Sequence, residues 1–241
     1  MIISSKSNPT IKKIASLTDK KFRKEYGEFL VEGIKTVDEC LNAGFDVREI
    51  VCTQSLETRY DNAVVVTDEL FSRISTEKSP QGVLAVVKQP ETPLAAPNGS
   101  CLLLDRIQDP GNLGTIIRTA NAAGYTDIYL VGCADAYSPK AVRASMGGVF
   151  YVNLFRGGLS EVLSALGDTP LICADMDGED AFTFDPPEKF CLCIGNEGGG
   201  ISDKLMEVAC YTVKIPMRET CESLNAAVSA AIAMYVLKNK R

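Results

Sequence analysis

The stretch LLLDRIQDPGNLGTIIRTA, residues 102–120, decides how the rest of the chain is read. With Cys101 it opens as a short, unbroken apolar run, the pattern of a strand buried on both faces. A Gly-Asn-Leu-Gly turn at 111–114 follows, and apolar residues then recur at helical spacing from 113 to 123, where Gly124 closes the helix. Asn112 suits the helix cap, because its amide oxygen can accept a free N–H of the first turn. Arg118 falls in the second turn, near the face that carries Gly114.

Outward from this stretch the same alternation continues. Apolar runs at 128–131, 152–155, 171–174, 190–194 and 211–215 alternate with helical patterns at 139–144, 160–166 and 203–208, and a long last helix starts near Leu224. Such strands imply an α/β fold with a mainly parallel sheet covered on both faces. Ligands in these sheets sit beyond the carboxyl ends of the strands. Upstream, Asn8-Pro9 followed by Ile11, Ile14, Ala15 and Leu17 reads as a capped amphipathic helix. A helix at 33–41, strands at 47–52 and 64–66, a helix at 68–74 and a strand at 83–87 complete a small α/β unit. The run QPETPLAAPNGS, residues 89–100, holds three prolines and a glycine without periodicity. It divides the chain into a domain at 1–90, a linker at 91–98 and a domain at 99–241.

Composition narrows the function. A net charge of −6 excludes a uniformly positive nucleic-acid grip, yet residues 1–24 hold seven basic side chains against Asp19 alone. Lys12, Lys13, Lys20 and Lys21 are therefore candidate contacts to RNA phosphates, although a charge run is often only a solvated face. The nine cysteines are scattered among apolar neighbours, with no CxxC and no histidine, so they read as reduced, buried thiols and no metal site is expected. Cys191 and Cys193 should share one face of a strand. The start of the chain shows no basic segment followed by an apolar one, and no apolar run reaches the roughly 20 residues of a membrane span. A cytoplasmic protein without a membrane partner is the expectation.

Two further segments stand at strand ends. IGNEGGGIS, residues 194–202, has four glycines in six residues around Glu197, so the backbone there turns sharply or passes very close to something. It is neither GxGxxG nor a phosphate-cradling loop, which excludes a dinucleotide-dependent dehydrogenase. In VKIPMRETCESLNAAVSAAIAMYVL, residues 213–237, a strand ends at Ile215-Pro216, a polar loop follows, and Ser223-Leu-Asn225 opens a helix rich in alanine. A serine cap would account for Ser223 but not for Asn225.

In this order the three segments resemble the SpoU family of RNA ribose methyltransferases, within the SPOUT class. The resemblance rests on Asn112, Gly114 and Arg118, on Gly-Asn-Glu-Gly at 195–198, on Ile-Pro-Met at 215–217 and on Ser-Leu-Asn at 223–225. It spans residues 102–240, and the N-terminal unit is similar to the family's substrate-binding domain, which resembles RNA-gripping ribosomal proteins. The resemblance implies a deep trefoil knot, which no periodicity could show. It implies S-adenosylmethionine held by Ala174, Gly195, Asn196, Ile215, Met217 and Leu224, and methyl transfer to a ribose 2′-hydroxyl. It also implies catalytic roles for Arg118, Asn112, Glu197, Ser223 and Asn225. Arg118 would act as base or, since a guanidinium holds its proton to a pH above roughly 12, would grip the neighbouring phosphate. Ribosomal RNA is the expected substrate, with transfer RNA the alternative; a non-catalytic RNA-binding protein would be expected to lose Asn112, Arg118, Glu197 or Asn225. A homodimer through the C-terminal domain is expected because the family builds each site from two protomers. Ala226, Ala227, Ala230, Ile232 and Ala233 also offer small or apolar faces on the last helix.

Overall fold

The computed structural model describes residues 2–238, so the domain end expected at residue 241 lies outside the described residues. Contacts divide the chain into one unit of Met1–Pro90 with Asp135–Phe150 and a second of Glu91–Ala134 with Tyr151–Arg241.

The first unit is a four-stranded sheet, β1 (Glu28–Glu32), β4 (Val83–Lys88), β2 (Val47–Thr53) and β3 (Val64–Val66) in that order, antiparallel except for the β2–β3 pair. Helix α1 (Pro9–Ser16) begins as its sequence implies: Asn8 Oδ1 accepts from Thr10 and Ile11 N–H, and Pro9 takes the first turn, where no donor is needed. Its Ile11 and Ile14 join Leu70, Phe71 and Ile74 of α4 (Asp68–Ile74) over one sheet face. Helix α3 (Ile34–Asn42) packs on β1 and β4. Helix α2 (Lys20–Tyr26) and β1 lie where no element is expected from the sequence. Arg23 of α2 is buried, donating to the Leu17 and Thr18 carbonyls and pairing with Asp135 at 2.8 Å.

Residues 135–150 group with this unit although the sequence reading places them in the second domain. Besides the Arg23–Asp135 pair, Tyr137 packs at a tilt against Phe29, ring centroids 4.8 Å apart, and α6 (Pro139–Ser145), capped by Ser138, packs on β1.

The second unit is a six-stranded, all-parallel sheet ordered β10 (Tyr211–Lys214), β8 (Leu171–Asp180), β9 (Cys191–Ile194), β5 (Cys101–Asp105), β6 (Asp127–Val131), β7 (Asn153–Arg156). Every residue of β5, β6 and β9 is buried, which explains the unbroken apolar runs. One face, with Cys101, Cys173, Cys191 and Cys193 side by side, packs on α7 (Leu159–Leu166). The alternate residues Leu102, Leu104, Leu192 and Ile194 turn the other way, and α5 (Pro110–Ala123) packs against α9 (Ala226–Lys238). Tyr125 ties that pair by donating to the Met234 carbonyl at 3.2 Å. The stretch read as a linker, 91–98, has no regular structure but lies on this unit: Leu94 packs on the core, and the Ala95 and Pro97 carbonyls accept from Tyr129 and Lys189.

Ala226, Ala227, Ala230 and Ala233 are buried within the chain itself, so the surplus apolar surface expected of them is not there. The last helix exposes Val228 and Tyr235 instead. Among the described residues no helix is long and apolar enough to cross a membrane.

Candidate active site

Running from β5, the chain steps outward through β6 and β7 and returns on the other side of β5 through β8, β9 and β10. The reversal falls between β5 and β9, and the crevice beyond the carboxyl ends of strands at such a reversal is where open α/β sheets take their ligands. The loops leaving these two strands are bound together there. Ser202 N–H donates to Asp105 Oδ2 at 2.7 Å, and Asn196 Nδ2 donates to the Arg106 carbonyl at 2.9 Å.

The glycine loop after β9 closes on itself. Asn196 and Gly200 exchange backbone bonds, and Asn196 Oδ1 accepts from the Gly198 and Gly199 N–H groups at 2.9 and 3.1 Å. A Cβ on Gly195 would stand 2.2 Å from the Gly200 carbonyl carbon, so this glycine is required by a close approach of backbone to backbone. Asn196, expected among cofactor contacts, spends its amide on bracing this loop.

The brace presents Glu197 to the rest of the site. Asn225 Oδ1 accepts from the Ala227 and Val228 N–H groups at the start of α9, so its amide nitrogen must face outward. That nitrogen donates to Asn112 Oδ1 at 3.0 Å, and Asn112 Nδ2 in turn donates to Glu197 Oε1 at 2.8 Å. Each amide has one orientation open to it, and the chain of bonds ends on an accepting oxygen of Glu197.

This arrangement corrects two capping assignments. Helix α5 starts at Pro110 and its cap is Asp109, whose Oδ1 accepts from the Asn112 N–H at 2.9 Å. Asn112 lies inside the first turn, which frees its side chain for Glu197 and Asn225. Helix α9 is capped by Asn225 and not by Ser223, which is exposed in the preceding loop. Arg118 is exposed on α5, less than two turns beyond Asn112, and no hydrogen bond or ion pair restrains it among the described residues.

Beside this network a cavity of about 510 Å³ opens over the middle of β8 and the ends of β9 and β10. Ala174, Gly195, Asn196, Ile215, Met217 and Leu224 line it, as do Glu197 and Ser223, whereas Asn112, Arg118 and Asn225 do not. Lys12, Lys13, Lys20 and Lys21 lie in the first unit, Lys13 paired with Glu28 at 2.7 Å and the other three exposed. Beneath the site, burial pushes the Cys191 thiol well above its ordinary value. Among the described residues no group of three or more His, Cys, Asp or Glu side chains is placed to hold a metal ion.

Sequence reasoning missed Arg106, Asp109, Asp175 and Met176. Asp-Pro ahead of a helical pattern is a start signal, so Asp109 was legible. Arg106 was not. It holds a left-handed backbone, φ 59°, in which its N–H meets the Val131 carbonyl while its own carbonyl accepts from Asn196 and Gln108. A glycine there would have signalled the turn; an arginine does not. Asp175 and Met176 line the cavity because β8 runs on past 174. Between Thr212 and Val213 its pairing with β10 skips the residues between Cys173 and Glu179, an irregularity apolar periodicity cannot reveal.

Comparison with known proteins bears on this geometry directly. Residues 99–235 match the SpoU rRNA Methylase family, and residues 8–85 match the MRM3-like substrate binding domain. The chain is 35% identical over 245 residues to the 23S rRNA (guanosine(2553)-2′-O)-methyltransferase RlmP of Bacillus subtilis, covering 98% of each protein. It is 31% identical over 252 residues to the 23S rRNA (uridine(2479)-2′-O)-methyltransferase of Streptomyces viridochromogenes, covering 94% of this chain and 88% of that one. A crystal structure of an AdoMet-bound rRNA methyltransferase from Sinorhizobium meliloti matches with a TM-score of 0.89 and 32% identity, over 99% of this chain and 97% of that one. With strand order, loop bracing and matched residues all converging on the same strand ends, the chain belongs to the SpoU rRNA methylase family.

Proposed function

We propose that this chain methylates a ribose 2′-hydroxyl of ribosomal RNA, with S-adenosylmethionine as methyl donor. The observation that carries the reading is the directed chain of bonds from the α9 cap through Asn225 and Asn112 to Glu197, set at the rim of a cavity at the strand ends. Full-length relatives named as 23S rRNA 2′-O-methyltransferases favour ribosomal over transfer RNA.

The cavity suits the donor. Its volume falls in the range of about 300–1,000 Å³ typical of small-molecule sites. Its lining joins strand-end residues to the loop before α9, with apolar Ile194, Ile215, Met217 and Leu224 fit for an adenosine, and Asp175, Glu197 and Ser223 among the polar residues. Ala174, Gly195, Ile215, Met217 and Leu224 are the residues we assign to holding it, with Asn196 acting through the loop. When bound, the donor supplies an electrophilic methyl group on a sulfonium. The chain's part is to hold the ribose hydroxyl in line and to manage one proton. Glu197, fixed by Asn112 and Asn196, offers acceptor oxygens at the cavity rim. The planar fork of donors on a guanidinium matches a phosphate, so we assign Arg118 to gripping the phosphate beside the target ribose, with Ser223 and Asn225 ordering the loop around it.

The fold reading extends in the same way. We assign the C-terminal part, from residue 99, as the catalytic domain with the trefoil knot, and residues 1–90 as the RNA-binding domain, with Lys12, Lys13, Lys20 and Lys21 on phosphates. A homodimer through the C-terminal domain is supported by the exposed Val228 and Tyr235 of α9, and a ribosomal substrate supports a cytoplasmic location.

Mapping 2′-O-methylation across cellular RNAs with and without the gene tests the substrate: loss of a ribosomal mark is expected, and loss of a transfer RNA mark alone would move the target there. Arg118→Ala tests the site. It should lower single-turnover methylation by about 10²–10³-fold, the usual cost of one charge-stabilising donor, while calorimetry shows S-adenosylmethionine binding nearly unchanged. Methylation at the wild-type rate would reduce Arg118 to a surface charge.

A further inference from the structure

Helix α2 carries a feature that the methyl-transfer site does not use. Phe22 and Tyr26, one turn apart, lie nearly parallel, with ring centroids 6.2 Å apart and planes 17° from each other. Tyr26 is 43% exposed and Phe22 is half-buried. Lys13 Nζ lies 5.5 Å from the Tyr26 centroid and Lys21 Nζ 5.5 Å from the Phe22 centroid, while Lys20 and Lys24 are exposed on the same helix. Four acids stand near them: Asp19 at the cap of α2, Glu25, exposed on α2, Glu28, paired with Lys13, and Glu49, close enough to act on Lys13. Lys20, Lys21 and Lys24 form no ion pair among the described residues, so their charge is open to phosphates.

We propose that the Phe22–Tyr26 pair is a stacking platform for an unpaired RNA base, with Lys20, Lys21 and Lys24 holding the flanking phosphates; the assignment rests on the reading of this chain as an RNA methyltransferase. A base presents a flat π-face to an aromatic ring whatever its sequence, and one such stack is worth about 1–3 kcal/mol. The ammonium groups now over the rings gain less than a base stack does at an exposed site. A base therefore gains more than the ring contact it replaces, and Lys21, which forms no ion pair among the described residues, is then free for a phosphate, while Lys13 keeps its pair with Glu28. RNA regions open enough to present a splayed base are also where proteins read RNA sequence most readily, since the deep, narrow major groove of its duplex is closed to side chains. The alternative is that an aromatic pair four residues apart merely steadies a short helix, by about 0.2–0.5 kcal/mol, with no bearing on RNA.

The chain has no tryptophan, so Tyr26→Trp gives a single reporter at the platform. The probes are a mixed-sequence single-stranded RNA dodecamer, the duplex of the same length, and transcribed 23S rRNA. Quenching of the tryptophan by the single strand and not by the duplex is expected. Tyr26→Ala should weaken binding of the single strand and of the 23S transcript by about 5- to 150-fold, the equivalent of one base stack, and Tyr26→Phe should restore it. The loss should appear in KM for RNA with kcat unchanged, and S-adenosylmethionine binding should stay as in the wild type. Unchanged affinity in Tyr26→Ala, or equal quenching by single strand and duplex, would overturn the platform while leaving methylation by the wild-type protein in place. If the wild-type protein neither binds nor methylates the 23S transcript, the functional reading fails, and the platform with it.

Discussion

Four glycines crowd the loop after β9, and the structure ranks them. A methyl group on Gly195 would lie 2.2 Å from the Gly200 carbonyl carbon and 2.3 Å from the Ile201 nitrogen, against a usual carbon–carbon contact of about 3.5–4.0 Å. Both obstacles are backbone, so the loop would have to retreat by more than an ångström. Glu197 lies on the segment that must move, between the two ends that Asn196 and Gly200 pin together. Forcing a methyl into a packed place costs about 1–3 kcal/mol, which in a chain of this size lowers Tm by about 2–12 °C. Gly199 is the control. A Cβ there meets only Asn196 Oδ1 at 3.8 Å, its φ is not left-handed, and it does not line the cavity, so Gly199→Ala should stay within about 0.5 kcal/mol of wild type. Gly200 falls between: space is open around it but φ is 61°, so alanine costs about 1–2 kcal/mol in backbone strain alone. Thermal unfolding beside calorimetry with S-adenosylmethionine reads all three. Gly195→Ala should lose at least about tenfold in cofactor affinity, or ~1.4 kcal/mol, and Gly199→Ala almost none. If Gly199→Ala were as damaging as Gly195→Ala, the close approach at Gly195 would not be the reason for the glycines, and the account of this loop would be wrong.

Three other outcomes are expected. Arg106→Gly and Arg106→Ala both lose the guanidinium contacts to Asp105 and Gly200 and keep the carbonyl that accepts from Asn196, but glycine relieves the left-handed strain of about 1–2 kcal/mol that the native arginine carries and alanine retains it; equal melting temperatures for the two variants would contradict the conformational argument. Of the nine cysteines, exposed Cys210 and Cys221 should react quickly with a thiol reagent in the native state and the seven buried ones slowly, as mass spectrometry would read. Burial pushes the Cys40 thiol from 9.0 to about 12. Because the folded value is raised, the stabilisation is fully present below pH 9 and fades as pH rises towards 12, so a Cys40→Ala variant should show a shallower loss of stability across that window than the wild type.

What was legible in the sequence follows from what the physics writes into side chains. The parallel sheet was legible because β5, β6 and β9 are buried on both faces and must be apolar at every position. Helix α2 was not: KKFRKEY has no apolar stripe, and its one inward residue is an arginine, satisfied by carbonyls and an aspartate far along the chain. Strand β1 was hidden because its short run, flanked by Glu28 and Glu32, merges into the helix that follows. At the site, the glycines and the order of the motifs pointed to the right strand ends, but the division of labour among neighbours did not show. Asp109 takes the cap that Asn112 seemed to offer, and Asn225 takes the one Ser223 seemed to offer. Both exchanges serve the same end. An asparagine tied to its own helix start by its oxygen has only its nitrogen left to give, as Asn225 does, and one relieved of capping can both accept and donate, as Asn112 does. Joining residues 113 and 85 positions apart, these two amides point one way along the chain of bonds, towards Glu197. The direction comes from the start of α9, so an Asn225→Asp change, which keeps the cap oxygen but removes the donor, would face Asn112 with a second carboxylate and free its amide to turn.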